Sequence, residues 1–129
     1  MSHVEDQVHN KFKLFSGGLD ADGTLGTLEE EVAAWARTAG VAPKSIGVEY
    51  IESAQRVILS VGYRDDEPGY PIALTSVPVG PIEGFGAEQL ATLEKAMAAA
   101  AGNRGHIICH ELYVTAKNHL LMVFMSHVV

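Results

Sequence analysis

The order of segments in this chain occurs twice. Alternating apolar and polar residues in "KFKLFSG" (Lys11–Gly17) predict a strand, and "TLEEEVAAWARTAG" predicts a helix that ends at Gly40. The stretches "SIGVEYIES" and "RVILSVGYR", with a very short turn near Gln55–Arg56, then predict an antiparallel hairpin. A strand "IALTSV", a helix "GAEQLATLEKAMAAAAG" and a second hairpin follow in the same order. We therefore expect a duplicated β-α-β-β unit, with repeats at about 11–66 and about 71–129.

The two hairpins can also be aligned with each other without a gap. Placing Ala54 on Ala116 puts Glu49 on Glu111 and Leu59 on Leu121. Two apolar hairpins could match in this way by chance. The recurrence of the first strand and the helix favours duplication.

These units predict an α+β fold. Right-handed crossovers would give about six strands in one mixed sheet, with two helices packed on one face. Thr27 and Glu30 have the spacing of a capping box at the start of the first helix. The inward residues are expected at three- and four-residue steps. In the first helix they are Leu28, Val32, Trp35 and Ala39, and in the second Leu90, Leu93, Met97 and Ala100.

Composition limits the classes of function. A chain of 129 residues that is 47% hydrophobic fits a single domain (11–129) with a real core. With 9 Lys+Arg against 16 Asp+Glu, the net charge of −7 makes nucleic acid and anionic membranes poor partners. One cysteine suits a reducing cytoplasm. Residues 1–10 are polar and predict a flexible tail without a signal peptide, and nothing predicts a cofactor.

The C-terminal hairpin predicts self-association. A two-residue turn at Lys117–Asn118 would place Ile108 opposite His127 and Glu111 opposite Phe124. Both faces of the hairpin would then be largely apolar, and the helices could cover only one of them. One face would hold Ile108, His110, Leu112, Val114, Leu121, Val123 and Met125, and the other Ile107, Cys109, Glu111, Tyr113, Leu120, Met122 and Phe124. We expect a homo-oligomer, a dimer or trimer, that packs through its sheets.

Histidines are frequent in this hairpin, but the geometry of a strand separates them. His106 and His110 are about 13 Å apart along a strand, His127 can pair with only one of them, and His119 lies at the turn. We therefore expect no metal site within one chain, although a second subunit could complete a pair. Cys109 and His110 point to opposite faces, which disfavours a nucleophile and its base.

Glu111 is the best candidate for a catalytic residue. Its expected neighbours are Cys109, Tyr113 and Phe124, and these four residues form a candidate binding site. An apolar environment would raise the pKa of a carboxyl group, as a general acid or base requires. The alternative is a structural role, with a basic group from a partner subunit or from a neighbour at the sheet edge satisfying the charge. We expect Glu49 to form an ordinary ion pair with Arg64.

Two loops contain weaker signals. In "DADGTLGTLEEE", Asp20, Asp22 and Glu31 have calcium-loop spacing, but Leu25 stands where glycine is required. A helix entrance is the better interpretation. "VGPIEGFG" could present backbone amides to an anion, but Glu83 opposes this and favours a connecting loop.

The stretches "AGVAPKSIGVEY" and "ALTSVPVGPIEGFG" are similar to segments of the tautomerase superfamily, whose duplicated units assemble as trimers through their sheets. The resemblance covers about a third of the chain. The catalytic amino-terminal proline of that family has no counterpart, because Ser2 follows Met1 and about ten residues precede the first strand. Each half also looks like small strand-helix-hairpin proteins of the dodecin type, which oligomerise.

Together these features favour a non-enzymatic, cytoplasmic, homo-oligomeric module that assembles or binds a ligand at subunit contacts. The alternative is a small tautomerase-like enzyme that uses Glu111 as acid or base.

Overall fold

The computed structural model describes residues 10–102 and 104–128. The predicted flexible tail therefore lies outside the described residues except for Asn10. The described chain contains six strands and two helices in the predicted β-α-β-β order. They are β1 (Lys11–Gly17), α1 (Thr27–Ala39), β2 (Ala42–Ile51), β3 (Arg56–Arg64), β4 (Ile72–Pro81), α2 (Ala87–Ala101), β5 (Ile107–Val114) and β6 (His119–His127).

The strands form two separate antiparallel sheets, so the prediction of one mixed sheet is wrong. The first sheet has the order β1-β3-β2 and the second the order β4-β6-β5. In each unit the last strand of the hairpin lies between the two strands that the helix connects. These two strands are parallel, as the crossover predicts, but they are not neighbours. Strands β2 and β5 lie side by side and bring the two sheets together.

One hydrophobic core is shared by both units. The inner faces of the two sheets and the buried side of α1 enclose it. Helix α1 contacts β1 of its own unit and β4 of the other unit. The buried core residues are Leu25, Leu28, Val32, Ala36, Ile46, Val57, Leu59, Val61, Ile72, Leu74, Tyr113, Leu121, Val123 and Met125.

Helix α2 packs on the other face of the second sheet, so the two helices do not share one face. It contacts β4, and a Cβ atom built on Gly80 would lie only 3.6 Å from Leu93. Phe124, whose side chain points to this outer face, is fully buried, and Arg104 lies 5.8 Å from its ring centroid. The second sheet is therefore covered by helices on both sides.

The start of α1 differs from the prediction, but its end agrees. Gly26 is the N-cap residue and no side chain caps the helix, so the capping box at Thr27 and Glu30 does not form. Gly40 ends the helix in the left-handed conformation that glycine favours, and its N–H donates to Ala36. Neither described helix is long and apolar enough to span a membrane.

The buried faces of the helices are also shifted from the prediction. In α1, Ala36 is buried, whereas Ala39 is exposed and Trp35 is half-buried between the rings of Phe15 and Tyr63. In α2, Leu93, Met97 and Ala100 are partly buried as predicted, but Leu90 is largely exposed.

Both hairpin turns are longer than predicted, which changes the registers. Thr115 accepts a hydrogen bond from the N–H of Asn118 and donates to the carbonyl of His119, and Asn118 has a φ of 59°. This three-residue turn places Glu111 opposite Val123, not Phe124. A shift by one residue moves every β6 side chain to the other face, so the two predicted faces of the hairpin are wrong. In the first hairpin, Glu52–Ala54 form a helical turn that Gln55 closes with a φ of 52°.

The uncovered face of the fold is not the predicted one. Residues 121–126 of β6 are all buried, whereas neither described helix packs on the outer face of the first sheet. Phe12 is 72% exposed, Leu14 65% and Ile58 43%. We call this surface the open face. Its members are Phe12, Leu14 and Ser16 on β1, Ile58, Ser60 and Gly62 on β3, and Ser45, Gly47 and Glu49 on β2.

Candidate functional site

The loop between β1 and α1 meets the turns of both hairpins at one end of the fold. A cleft of about 550 Å³ opens between them. Its lining includes residues 18–23 of the loop, Tyr50 and Gln55 of the first hairpin, Pro78 of β4, and residues 115–117 and 119 of the second hairpin. Segments that are distant in sequence thus supply both polar and apolar groups to one concave surface.

Gly23 fixes the position of the loop wall. It has a φ of +88°, and a Cβ atom there would lie 3.1 Å from Thr115 and 3.2 Å from Leu121. A side chain at this position would be strained and crowded. The Tyr113 hydroxyl donates to the Gly23 carbonyl at 2.7 Å. The loop is therefore held against the second hairpin by close packing and by a buried hydrogen bond.

Asp22 is oriented by the chain that follows it. One carboxylate oxygen accepts hydrogen bonds from the Thr24 N–H at 3.1 Å and from the Thr24 hydroxyl at 2.6 Å. The hydroxyl first and then the N–H lower the pKa of this carboxyl group below its usual value. The exposed Asp22 side chain is therefore a fixed negative charge at the cleft.

Asp20 lies next to Asp22 but contacts the start of α1. A Cβ atom on Gly26 would lie 2.6 Å from an oxygen of the Asp20 carboxylate. The N-terminus of a helix favours such a negative charge. Asp20 thus adds to the acidic wall of the cleft and also stabilises the helix entrance, which agrees with the sequence interpretation of this loop.

A buried polar network supports the cleft from behind. One oxygen of the Glu29 carboxylate accepts hydrogen bonds from the Ser76 N–H at 2.5 Å and from its hydroxyl at 2.6 Å. The Ser76 hydroxyl oxygen accepts a bond from the Leu25 N–H at 2.9 Å. Burial raises the pKa of Tyr113, while the nearby Ser76 side chain opposes the shift. Helix α1 is thereby joined to β4 through the bond between Glu29 and Ser76.

The predicted site around Glu111 forms only in part. Cys109, Glu111 and Tyr113 share the inner face of β5, but Phe124 lies opposite His110 on the outer face. Burial, followed by the Glu111 charge, raises the pKa of the Cys109 thiol to about 11, and a hydrogen bond with the Ile46 backbone lowers it slightly. A thiol of this kind is protonated at neutral pH and is a weak nucleophile.

Glu111 does not line the cleft. One of its carboxylate oxygens accepts a hydrogen bond from the Leu112 N–H at 3.3 Å. Its equivalence to Glu49 is not supported by the registers, because Glu49 lies opposite Ile58 on the open face and Glu111 opposite Val123 on the inner face. The predicted pair of Glu49 with Arg64 is wrong, since Arg64 lies opposite Ala42 and binds Asp66.

Of the four histidines in the second hairpin region, two form a pair and the other two lie apart, as strand geometry predicts. The rings of His106 and His127 stack with centroids 5.4 Å apart, whereas His110 is exposed on the outer face of β5. His119 lines the cleft. No group of three or more potential ligands that could hold a metal ion occurs among the described residues.

Sequence reasoning missed the cleft. It treated Asp20 and Asp22 as part of a helix entrance and His119 as a residue of a turn. The available signal was the presence of charged residues in both the "DADG" loop and the "AKNH" turn. Nothing local indicated that this loop and this turn would meet, because tertiary packing brings them together.

Comparison with known proteins does not add a relative. No family model matches the chain, and neither the curated proteins nor the solved structures contain a match.

Proposed function

We propose that the protein is a non-enzymatic module that binds a small molecule and works as a homo-oligomer. The cleft between the β1–α1 loop and the hairpin turns is the observation that carries the proposal. Sites for small molecules usually measure about 300–1,000 Å³ and combine apolar walls with a few polar groups. The cleft has this size and this composition. Glu111 lies outside its lining, so the proposal assigns no role to that residue.

The lining suits a ligand with an apolar part and polar ends. Leu19, Pro78 and Ala116 supply apolar surface, while the Tyr50 hydroxyl and the Gln55 amide can donate or accept hydrogen bonds. The bonds described above hold the loop wall in place before any ligand arrives. A preformed site loses less conformational entropy on binding.

Filling the cleft tests the proposal. The Ala116→Trp variant would place an indole at an exposed position of the lining, and Ala39→Trp makes the same change at the exposed end of α1. Ligand-observed NMR against a library of small compounds should identify binders to the wild type and to Ala39→Trp that Ala116→Trp no longer binds. A library without any binder, or binders that bind equally to both variants, would contradict a function of this cleft.

The open face supports the proposed self-association, with a second copy of this chain as its occupant. The large side chains of Phe12 and Leu14 project from β1, and a hollow of about 270 Å³ beside them has Phe12, Ser45 and Gly62 in its lining. A two-fold axis would place the projecting side chains of one copy over the hollow of the other. The surface thus offers both projecting side chains and a hollow, which a closed two-fold dimer can use.

Light scattering at low concentration measures this association. We expect a dimer for the wild type and a monomer for the double variant Phe12→Ser/Leu14→Ser. These side chains make few contacts within the chain, so the fold should survive, and circular dichroism checks this. Phe85→Ser is the matched control, because Phe85 is 84% exposed in the loop before α2. A monomeric wild type would refute the self-association.

A further inference from the structure

The lining of the cleft combines acidic side chains with a lysine and a histidine. Asp20 and Asp22 lie on the wall formed by the β1–α1 loop, and Lys117 and His119 lie on the wall formed by the second hairpin turn. Lys117 forms no ion pair with any described residue. The cleft lining therefore contains acidic and basic groups that do not pair with each other.

The groups on these walls remain available to a ligand. Asp22 uses one carboxylate oxygen for Thr24, and its other oxygen accepts no hydrogen bond from another described residue. Among the described residues, the side chains of Lys117 and His119 likewise form no hydrogen bond. Leu19, Pro78 and Ala116 add apolar surface to the same cleft. The lining thus offers a carboxylate that can bind a cation, an apolar surface, and side chains that can donate hydrogen bonds to an anion.

We propose that the ligand of this cleft is a zwitterion, a small molecule whose ammonium group binds Asp22 and whose carboxylate binds Lys117 and His119. This inference rests on the proposed binding function and specifies its ligand class. Asp20 adds negative potential at the ammonium end. The carbon chain between the two charged groups lies along the apolar surface.

Ligands with a single charge fit the same walls less well. A simple amine would satisfy Asp22 but leave Lys117 unpaired and nearby. A simple carboxylate would bind Lys117 but meet the field of two aspartates in a chain of net charge −7. Only a molecule with both charges pairs with both walls, and each charge-assisted hydrogen bond gained should tighten binding about tenfold.

A series of ω-amino acids measures the distance between the charged groups. Glycine, β-alanine, 4-aminobutanoate, 5-aminopentanoate and 6-aminohexanoate carry the same two charges on chains of increasing length. Each is titrated by NMR against the amine and the carboxylate of equal length. We expect affinity to peak at one chain length and to exceed that of either single-charge analogue about tenfold.

Charge-only variants identify the binding residues. Asn keeps an oxygen for Thr24, so Asp22→Asn removes the charge with little change of the loop. Asp22→Asn and Lys117→Gln should each weaken binding of the best ω-amino acid about tenfold. Binding of the amine should respond only to Asp22→Asn, and binding of the carboxylate only to Lys117→Gln. Glu94→Gln and Lys95→Gln, at exposed positions of α2, are the matched controls and should change nothing.

The outcomes separate this inference from the proposed function. If single-charge or neutral compounds bind as well as the zwitterions and Ala116→Trp blocks them, the ligand class is wrong and the binding function stands. If neither the series nor a broad library binds, both are refuted. Binding of the series that Asp22→Asn and Lys117→Gln leave unchanged would also overturn the proposed ligand class.

Discussion

Removing the Tyr113 hydroxyl should destabilise the protein and loosen the cleft. This side chain is only 5% exposed, and its hydroxyl donates to the Gly23 carbonyl at 2.7 Å. In Tyr113→Phe the ring still fills its place in the core, but the Gly23 carbonyl loses its donor. The variant therefore isolates the hydrogen bond between the second hairpin and the cleft loop.

The magnitude follows from burial. Leaving one partner of a buried neutral hydrogen bond unsatisfied costs about 1–3 kcal/mol. The cleft lets water reach part of the loop, which favours the lower half of this range, about 1–2 kcal/mol. With a urea dependence of about 2 kcal/mol per molar, the midpoint should fall by about 0.5–1 M.

Urea unfolding followed by circular dichroism measures this difference. Tyr63→Phe is the matched control, because the Tyr63 hydroxyl makes no hydrogen bond with a described residue and its loss should cost less than about 0.5 kcal/mol. A Tyr113→Phe midpoint equal to that of the wild type would refute the argument that this bond holds the loop.

The same residue predicts a dependence on alkaline pH. Burial raises the pKa of Tyr113 above its usual value of 10.0. The unfolded chain then loses this proton before the folded protein does. The contribution of the protonated hydroxyl to the free energy of unfolding is therefore complete below about pH 10 and is lost as the pH rises further. The Tyr113→Phe variant should show a smaller loss of stability above pH 10 than the wild type.

Three further predictions follow from packing and from the thiol. Cys109, with a pKa of about 11, should react slowly with iodoacetamide at pH 8, because only about 0.1% of the thiol is then thiolate. The reaction should be rapid in urea, and equal rates in both conditions would contradict the burial of this thiol. Phe124→Ala should lower the free energy of unfolding by about 3–5 kcal/mol, whereas the exposed control Phe85→Ala should leave it nearly unchanged. Equal effects of the two variants in urea titrations would contradict the burial of Phe124 beneath α2. Gly26→Ala should destabilise the protein by at least about 1 kcal/mol, because the φ of +60° and the nearby Asp20 exclude a methyl group. A variant of wild-type stability would argue against this loop conformation.

The order of the elements could be predicted from the sequence because it depends on local patterns. Alternation in β1 and the three- and four-residue steps of α1 are signals within single segments. The glycine that ends α1 is also a local signal, and Gly40 has the predicted role. The start of α1 was harder to predict from the sequence. Gly26 is the N-cap residue, and no side-chain motif indicated its backbone conformation.

The sheet arrangement and the hairpin registers could not be predicted in the same way. They depend on turn geometry, and the left-handed residues Gln55 and Asn118 each lengthen a turn beyond the shortest form. One additional residue was enough to place Phe124 on the wrong face of the predicted site. The cleft was missed for a related reason, because Asp22 and Lys117 line one cleft only after both units have packed around α1.

The outer faces of the two sheets differ in what can cover them. Helix α2 can lie close to β4 at Gly80, where the absence of a side chain leaves room for Leu93. On β1 the outward position is occupied by Phe12, which would hold a helix away, while the central strand β3 has Ser60 and Gly62. A helix therefore suits the outer face of the second sheet and not that of the first. A second sheet face, whose side chains interdigitate at about 10 Å between sheets, can place its projecting residues in this hollow. The outer face of the second sheet is thus covered by helix α2 and that of the first sheet, as we propose, by a second copy of the chain.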